Sequence, residues 1–211
     1  MNYKQIPLGP LQTNCYVLID DAKKMVIFDP GGNGEQLNEW IAEQGFEPIA
    51  ILLTHAHFDH IGAVDVVRQR WNIPVYLHKN EEDWLANPEK NGSAFFMGDA
   101  AITASKADHL LEKDGTLNVG SFSFTVLHTP GHSPGSVSYY FEKENVVFSG
   151  DALFSGSIGR TDLREGNHEQ LLQSIHTKLL ELPEETVVAS GHGPLTTIGQ
   201  EMDSNPFLSG F

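Results

Sequence analysis

Four side chains of metal-binding type occur immediately after an uninterrupted apolar run in this sequence. Residues 49–53, Ile-Ala-Ile-Leu-Leu, have the composition of a strand buried on both faces. Residues 54–60 then read Thr-His-Ala-His-Phe-Asp-His. Imidazole and carboxylate groups suit zinc, iron and manganese. A surface or capping role explains one histidine, but not three with an aspartate at this spacing, so the segment predicts a metal site at a strand end.

Three further candidate ligands also follow apolar, strand-like runs. His132, Asp151 and His192 each come directly after a glycine, which would let the backbone approach a metal closely. Polar ligands that collect at one edge of a sheet form a site on a rigid scaffold. The predicted metal ligands are therefore His55, His57, Asp59, His60, His132, Asp151 and His192.

The rest of the chain alternates between strand and helix patterns. Strands are predicted at residues 14–19, 24–28, 49–53, 74–78, 122–127, 136–141, 145–149 and 186–189. Helices are predicted around residues 37–44, with Gly45 as the stop, from 61 to 71 and from 167 to 180. Residues 87–98 are either a flap over the site or a loop folded onto the core. No linker interrupts the pattern, so residues 1–211 are predicted to form one domain with a sheet-on-sheet core and flanking helices.

Charge and cysteine content narrow the function classes. The formal net charge of −15 argues against nucleic acid and anionic membranes as partners and leaves a small-molecule substrate. The single cysteine, Cys15, lies in an apolar run, so a buried thiol is favoured over a nucleophile. The N-terminus lacks the pattern of a signal segment, which predicts a cytoplasmic protein.

The ligand pattern resembles that of the metallo-β-lactamase superfamily. His-x-His-x-Asp-His, Gly-His, Gly-Asp and Gly-His-Gly occur in its order, and the closer likeness is to glyoxalase II (hydroxyacylglutathione hydrolase) and its shorter relatives. The resemblance implies an α+β fold, the αββα sandwich of two mixed sheets flanked by helices. Carried over by position, one metal would be held by His55, His57 and His132, and the other by Asp59, His60 and His192. Asp151 would bridge the two metals, and Asp29 would orient a ligand histidine, with a role in an Asp-Pro-Gly turn as the alternative.

The resemblance also implies a reaction. Two divalent ions, with zinc expected first and iron or manganese as alternatives, would supply a metal-bound hydroxide at neutral pH, and Asp59 would orient the water. The substrate would be a thioester such as S-lactoylglutathione, whose thiolate leaves readily. Full-length glyoxalase II continues into a helical domain that helps to hold glutathione, and this chain has no counterpart of that segment. Arg160 stands where glyoxalase II has a substrate-binding lysine, so it is the candidate anchor for a substrate carboxylate, with a surface arginine beside Asp162 as the alternative.

Three rival functions remain open from the sequence. Residues 159–162, Gly-Arg-Thr-Asp, also resemble persulfide dioxygenases, which would use one iron held by His55, His132 and Asp151. A β-lactamase is usually exported, whereas this sequence lacks the pattern of a signal segment, so that function is disfavoured. A non-catalytic metal-binding module would be expected to have lost ligands, whereas all seven are present.

Overall fold

The structure, a computed structural model, describes residues 2–209 and contains two compact units. The first unit runs to Glu112 and includes Asn118–Phe122. The second unit comprises Lys113–Leu117 and the chain from Ser123 onward. Each unit carries one group of the predicted metal ligands.

The first unit is built on a mixed six-stranded sheet. Its strands follow chain order across the sheet: β1 (Asn2–Leu8), β2 (Thr13–Ile19), β3 (Lys24–Phe28), β4 (Glu47–Leu52), β5 (Val75–His78) and β6 (His109–Leu111). The pairs β1–β2 and β2–β3 are antiparallel, whereas β3 to β6 are parallel neighbours. Because β3 and β4 run in the same direction, the residues that follow them emerge at the same edge of the sheet.

Four helices accompany this sheet. They are α1 (Gly34–Gln44), α2 (Phe58–Ile61), α3 (Val64–Trp71) and α4 (Ser93–Met97). Gly45 ends α1 in the left-handed conformation, with φ 66°, as the sequence predicted. Buried side chains from the strands and helices form the core of this unit, including Val17, Ile27, Ile51 and Val67.

The helix predicted over residues 61–71 occurs as α3, which begins at Val64, and a break at residues 62–63 separates it from α2. The backbone of Pro30 and Gly31 lies against the break: Ala63 N–H donates to Pro30 O at 2.9 Å. A β-carbon on Gly62 would stand 2.4 Å from Gly31 O. A contact with a distant loop therefore interrupts a sequence that has helical periodicity throughout.

The second sheet is also mixed and has six strands. They are β7 (Gly115–Val119), β8 (Phe122–His128), β9 (Val137–Phe141), β10 (Val146–Gly150), β13 (Val187–Ser190) and β14 (Thr196–Thr197). The order across the sheet is β14-β13-β10-β9-β8-β7; β10 and β13 are parallel, whereas the pairs β9–β10, β13–β14 and β8–β9 are antiparallel. A two-stranded ribbon, β11 (Leu153–Phe154) with β12 (Ser157–Ile158), follows β10.

The helices of the second unit lie late in the chain. The helix predicted from 167 to 180 is α5 (His168–Ser174), which continues as one π-helical turn, Ile175–Leu179. A final helix, α6 (Ile198–Ser204), was not predicted, and neither were β1, β6 and α4. Within residues 2–209, no helix combines the length and apolar character needed to cross a membrane.

Candidate metal centre

The three candidate ligand histidines of the first unit lie in the loop that follows β4 and in α2. His57 caps the start of α2 with an extended backbone, φ −67° and ψ 148°, and His60 lies within the helix. The rings of His55, His57 and His60 are all buried. The His55 ring centroid lies 4.8 Å from that of His57 and 4.1 Å from that of His60. Three imidazoles thus meet at the end of the central strand of this unit.

Asp29 binds two parts of this loop. It follows β3 and adopts a left-handed backbone, φ 47°. Its Oδ1 accepts Thr54 N–H at 2.8 Å, and its Oδ2 accepts the Thr54 hydroxyl at 2.6 Å. Oδ2 also lies 2.9 Å from Nδ1 of His60. The aspartate therefore contacts a candidate ligand histidine, as the resemblance implied.

These contacts determine which ring nitrogens carry hydrogen. A carboxylate only accepts hydrogen bonds, so Nδ1 of His60 must donate to Asp29, and its Nε2 keeps a lone pair. The Thr54 hydroxyl donates to Asp29, and its oxygen therefore accepts from Nδ1 of His55 at 3.0 Å. Both rings thus present Nε2 as a metal-binding atom.

Asp59 is held beside His60 by the opening strands of the chain. Thr13, at the start of β2, donates its hydroxyl to Asp59 Oδ2 at 2.8 Å. The same oxygen lies 3.6 Å from Nε2 of His60. A β-carbon on Gly31 would stand 1.8 Å from Asp59 O, so only glycine permits this approach of the Gly31 loop to α2.

A second buried carboxylate binds the loop between the first two histidines. Glu81 is 0% exposed and follows β5 in a short 3₁₀ turn, Lys79–Glu81. Its Oε2 accepts Ala56 N–H at 2.6 Å. Trp84, whose N–H donates to Glu81 O, places its indole 5.6 Å from the His57 ring. This turn therefore covers the loop that carries His55 and His57.

In the second unit, one carboxylate oxygen of Asp151 lies close to both candidate ligand histidines, His132 and His192. Asp151 follows β10, and His192 follows β13, its parallel neighbour. Gly191 N–H donates to Gly150 O at 2.8 Å and joins the two turns. Oδ2 of Asp151 lies 3.6 Å from Nε2 of His132 and also 3.6 Å from Nε2 of His192.

The backbone around His132 fixes its ring. Nδ1 of His132 lies 2.8 Å from Arg160 O, and since a carbonyl only accepts, Nδ1 donates and Nε2 is available to a metal. A β-carbon on Gly159 would stand 1.8 Å from Asp151 O and 3.2 Å from the His132 β-carbon. Glycine at this position lets the Gly159–Arg160 segment pass close to both side chains.

The donor spacing and chemistry in each unit are suited to metal binding. Two ligands held at about 2.1 Å from one tetrahedral zinc ion lie roughly 3.4 Å apart. The Nε2–Oδ2 separations of 3.6 Å in the pairs His60–Asp59, His132–Asp151 and His192–Asp151 are close to that value. His55, His60 and Asp29 also offer nitrogen and oxygen atoms within 4.8 Å of one another, although Asp29 uses its oxygens to orient its neighbours.

The structure thus arranges the seven predicted ligands in two groups. His55, His57, Asp59 and His60 come together in the first unit, and His132, Asp151 and His192 in the second.

The predicted substrate anchor Arg160 lies at the surface in an ion pair. Its guanidinium donates two hydrogen bonds to Asp162, at 2.7 and 2.8 Å. Arg160 keeps the pKa of the exposed Asp162 carboxyl at about 2, mainly through these bonds. The fork presents two donors in one plane, the geometry that a carboxylate requires, and a substrate would have to displace Asp162 to use it.

Cys15 is a core residue, as the sequence predicted. Its side chain is fully buried in the first unit, and burial raises the pKa of the thiol well above its ordinary value. A thiol in this state is a poor nucleophile.

Three residues around the candidate ligands were not foreseen from the sequence. Thr54, Thr13 and Glu81 bind Asp29, Asp59 and the His55–His57 loop, respectively. Only Thr54 had a local signal, since it directly precedes His55. Thr13 and Glu81 lie 46 and 25 residues from their partners in the chain.

Known proteins resemble this chain over nearly its whole length. A protein called "Probable metallo-hydrolase YqgX" from Bacillus subtilis (strain 168) is 59% identical over 100% of this chain and 99% of its own length. "Hydroxyacylglutathione hydrolase GloC" from Haemophilus influenzae is 40% identical, with 99% of each chain covered.

Solved structures share the fold at high similarity. The "BLEG-1 B3 metallo-beta-lactamase" structure matches with a TM-score of 0.97 and 64% identity, and covers 99% of this chain and 100% of that one. The structure of TTHA1623 "in a di-iron-bound form" matches with a TM-score of 0.86 and 42% identity, over 97% and 100% of the two chains.

The fold class predicted from the sequence, two mixed sheets flanked by helices, is confirmed by these matches. The family model of the metallo-beta-lactamase superfamily covers residues 8–192, which include all seven candidate ligands. On this evidence the chain belongs to the metallo-β-lactamase superfamily.

Proposed function

We propose that this protein is a metal-dependent hydrolase that cleaves thioesters such as S-lactoylglutathione. The observation that carries the proposal is the position of Asp151, whose Oδ2 lies 3.6 Å from Nε2 of each of two histidines, His132 and His192. One carboxylate oxygen between two imidazoles is the arrangement expected of a ligand that bridges two metal ions.

The ligand assignment follows the superfamily pattern. His55, His57 and His132 would hold one metal, and Asp59, His60 and His192 the other, with Asp151 shared. We propose that residues 1–211 act as one domain. When bound, two divalent ions act as Lewis acids and lower the pKa of water, which provides a nucleophile at neutral pH.

The chain's own residues prepare the ligands for this task. Asp29 and Thr54 keep hydrogen on Nδ1 of His60 and His55, and Arg160 O does the same for His132. Asp59, whose Oδ2 accepts the Thr13 hydroxyl, would accept a hydrogen bond from the reacting water and orient it. Nothing in this scheme requires a protein nucleophile, which agrees with the burial of Cys15.

Thioesters suit the residues that are present. Hydrolysis adds a water oxygen to the acyl carbon and breaks the carbon–sulfur bond, so the products are a carboxylic acid and a thiol. A thiolate leaves with little help from a general acid. The 40% identity to a protein named hydroxyacylglutathione hydrolase supports a glutathione thioester, and Arg160 is the proposed anchor for a substrate carboxylate.

Zinc is the first choice of metal, because histidine and aspartate ligands of this kind hold it well. Iron has support from the similar structure in a di-iron-bound form, and manganese also accepts this ligand set.

Hydrolysis of β-lactams is a second candidate function. The observation that favours it is the 64% identity to a structure named a B3 metallo-beta-lactamase. The two activities share a hydrolytic attack on an acyl carbon and differ in the leaving group, which is an amide nitrogen in a β-lactam.

The formal net charge of −15 bears on the substrate and the partners of the proposed enzyme. An acidic surface repels nucleic acid and anionic lipids, so the proposed substrate is a small molecule and neither of these is a partner. The proposed location is the cytoplasm.

The test is turnover by the purified protein loaded separately with zinc, iron or manganese. S-lactoylglutathione and a chromogenic cephalosporin are offered in parallel, and oxygen uptake is recorded with glutathione persulfide. Metal content is measured in each sample, so that inactivity is not confused with an empty site.

Each outcome separates the candidates. Thioester cleavage without oxygen uptake supports the proposal, and cephalosporin cleavage with no thioester turnover replaces it with the β-lactamase. Iron-dependent oxygen uptake would make the protein a dioxygenase with one iron. If a protein that carries two metals reacts with none of the three substrates, the thioester assignment is refuted.

A further inference from the structure

Glu81 is a buried carboxylate to which the proposed hydrolysis assigns no role. Glutamate is almost never fully buried unless it is paired, because moving a carboxylate out of water costs free energy. The side chain of Glu81 is nevertheless 0% exposed, and its Oε2 accepts a short hydrogen bond, 2.6 Å, from Ala56 N–H. A carboxylate has about four acceptor positions, so this bond uses a part of its capacity.

Two residues that contact Glu81, Ala56 and Trp84, are also neighbours of His57. Ala56, whose amide Glu81 holds, lies between His55 and His57 in the chain. Trp84, one turn beyond Glu81, packs its indole against the His57 ring with centroids 5.6 Å apart. The Glu81–Trp84 turn therefore restrains the backbone before His57 and one face of its ring.

The other candidate ligand histidines show what such a restraint does. His60 donates its Nδ1 hydrogen to the buried Asp29, and His132 donates its own to a carbonyl. A metal-bound histidine commonly gives its second ring N–H to a carboxylate or carbonyl, and this contact fixes the ring and its tautomer.

We propose that Glu81 is the positioning residue of His57. One carboxylate oxygen holds the Ala56 amide, and the carboxylate also accepts the His57 ring N–H that faces away from the metal. Glu81 would thus do for His57 what Asp29 does for His60. The inference rests on the proposed function only in treating His57 as a metal ligand.

The substitution Glu81→Gln tests the role with the smallest change in shape. The amide oxygen can still accept from Ala56 N–H, but the amide NH₂ then faces the His57 ring and drives the ring hydrogen onto the nitrogen that binds metal. We expect a 10–100-fold loss of affinity for one of the two metals, the size typical for removal of such a partner. The ligand-field spectrum of the cobalt-loaded protein should change as well.

Glu201 provides a matched control. It is also 0% exposed, and its Oε2 accepts a backbone amide, that of Gly156, at 2.8 Å. Its remaining partners are Thr196 and Asn205, neither of which is a candidate ligand. Glu201→Gln should lower the Tm, because an amide NH₂ would face groups that donate to the carboxylate, but it should leave zinc affinity and the cobalt spectrum unchanged.

The measurement is a zinc titration of the metal-free full-length protein against a competing chelator, together with the cobalt spectrum. Zinc affinity and spectrum in Glu81→Gln that match those of wild type and Glu201→Gln would overturn the proposal. If Glu81→Gln does not fold, Glu81→Asp and Glu201→Asp replace the pair. The shortened carboxylate at position 81 should weaken zinc binding, and equal binding in both Asp variants would again overturn the role.

A double substitution separates positioning from general stability. In a His57→Ala background, Glu81→Gln should cause no further loss of metal affinity, because the residue that it orients is gone. Additive losses would contradict the proposal. Since no substrate enters these titrations, a protein that binds two metals and shows the Glu81 effect, yet cleaves no thioester, would refute the proposed function and keep this inference.

Discussion

The substitution Asp29→Asn is expected to disturb two candidate ligands at once through their hydrogen positions. Oδ1 of Asp29 accepts Thr54 N–H at 2.8 Å, so the amide oxygen of asparagine must occupy this place. The amide NH₂ then faces the two groups that donate to Oδ2 in the native protein, the Thr54 hydroxyl and Nδ1 of His60.

Both rings would then change tautomer. Nδ1 of His60 becomes an acceptor for the new NH₂, so its hydrogen moves to Nε2, the atom that lies 3.6 Å from Asp59 Oδ2. The Thr54 oxygen accepts from the amide and turns its hydrogen toward Nδ1 of His55, 3.0 Å away. His55 consequently also carries hydrogen on Nε2, and neither ring offers a lone pair to its metal.

The magnitude follows from these contacts. Loss of the partner behind one ligand typically costs 10–100-fold in metal affinity. His55 and His60 are assigned to different metals, so each of the two ions should bind about 10–100-fold more weakly. The amide can flip instead, but it then places NH₂ against Thr54 N–H and leaves a buried donor unsatisfied, at about 1–3 kcal/mol. We therefore expect at least a 10-fold weaker affinity for zinc.

The assay is the competition titration with zinc, combined with thermal unfolding of the metal-free protein. Asp65→Asn is the matched control, because Asp65 accepts the same pair of bonds, from Ser105 N–H and the Ser105 hydroxyl, both at 2.9 Å. Asp65→Asn should keep wild-type zinc affinity. Wild-type zinc affinity in Asp29→Asn would refute the tautomer argument, and so would an equal loss in both variants.

Four more outcomes are expected. His57→Ala should abolish hydrolysis and lower the metal content, while the circular dichroism spectrum stays native. Unchanged turnover would refute the assignment of His57 as a metal ligand. The buried Cys15 thiol, whose pKa is raised by burial, should react with a disulfide reagent only after unfolding, and rapid labelling of the native protein would contradict this. Partial burial is the largest effect on the pKa of Asp114 and raises it, but the hydrogen bonds from Lys178 and the His128 amide, together with the Lys178 charge, outweigh burial and the net pKa is lowered. The Tm advantage of wild type over Asp114→Asn should therefore be full above the ordinary pKa of 3.8 and disappear as pH falls through the lower folded-state value, whereas an advantage that grows in acid would be inconsistent with it. Arg160→Ala should raise the KM for a glutathione thioester several-fold with kcat unchanged, and an unchanged KM would remove it as the anchor.

Much of the secondary structure was predictable because its signals are local. The strands β3 and β5 and the hairpin of β9 and β10 alternate or run apolar between clear turn residues, and they occur where the sequence places them. Gly45 likewise ends α1, since few other residues adopt its left-handed backbone easily.

Other elements carry no such signal. The strand β6 has three residues and α4 has five, which is too short for a periodic pattern. Residues 87–98, for which a flap and a core loop were both open, contain α4, where Phe96 stacks on Phe58 while Phe95 stays 85% exposed.

The sequence by itself determined the candidate ligands of this protein, because metal donors are recognisable side chains at short spacings after apolar strands. Only the tertiary structure decided how those donors are held. Asp29 reaches His60 across 31 residues, Thr13 reaches Asp59 across 46, and Glu81 reaches the Ala56 amide across 25. Such pairs depend on which strands become neighbours in the folded sheet. The physical reason is that a donor's identity is a property of one residue, whereas its tautomer and orientation are properties of its packed surroundings.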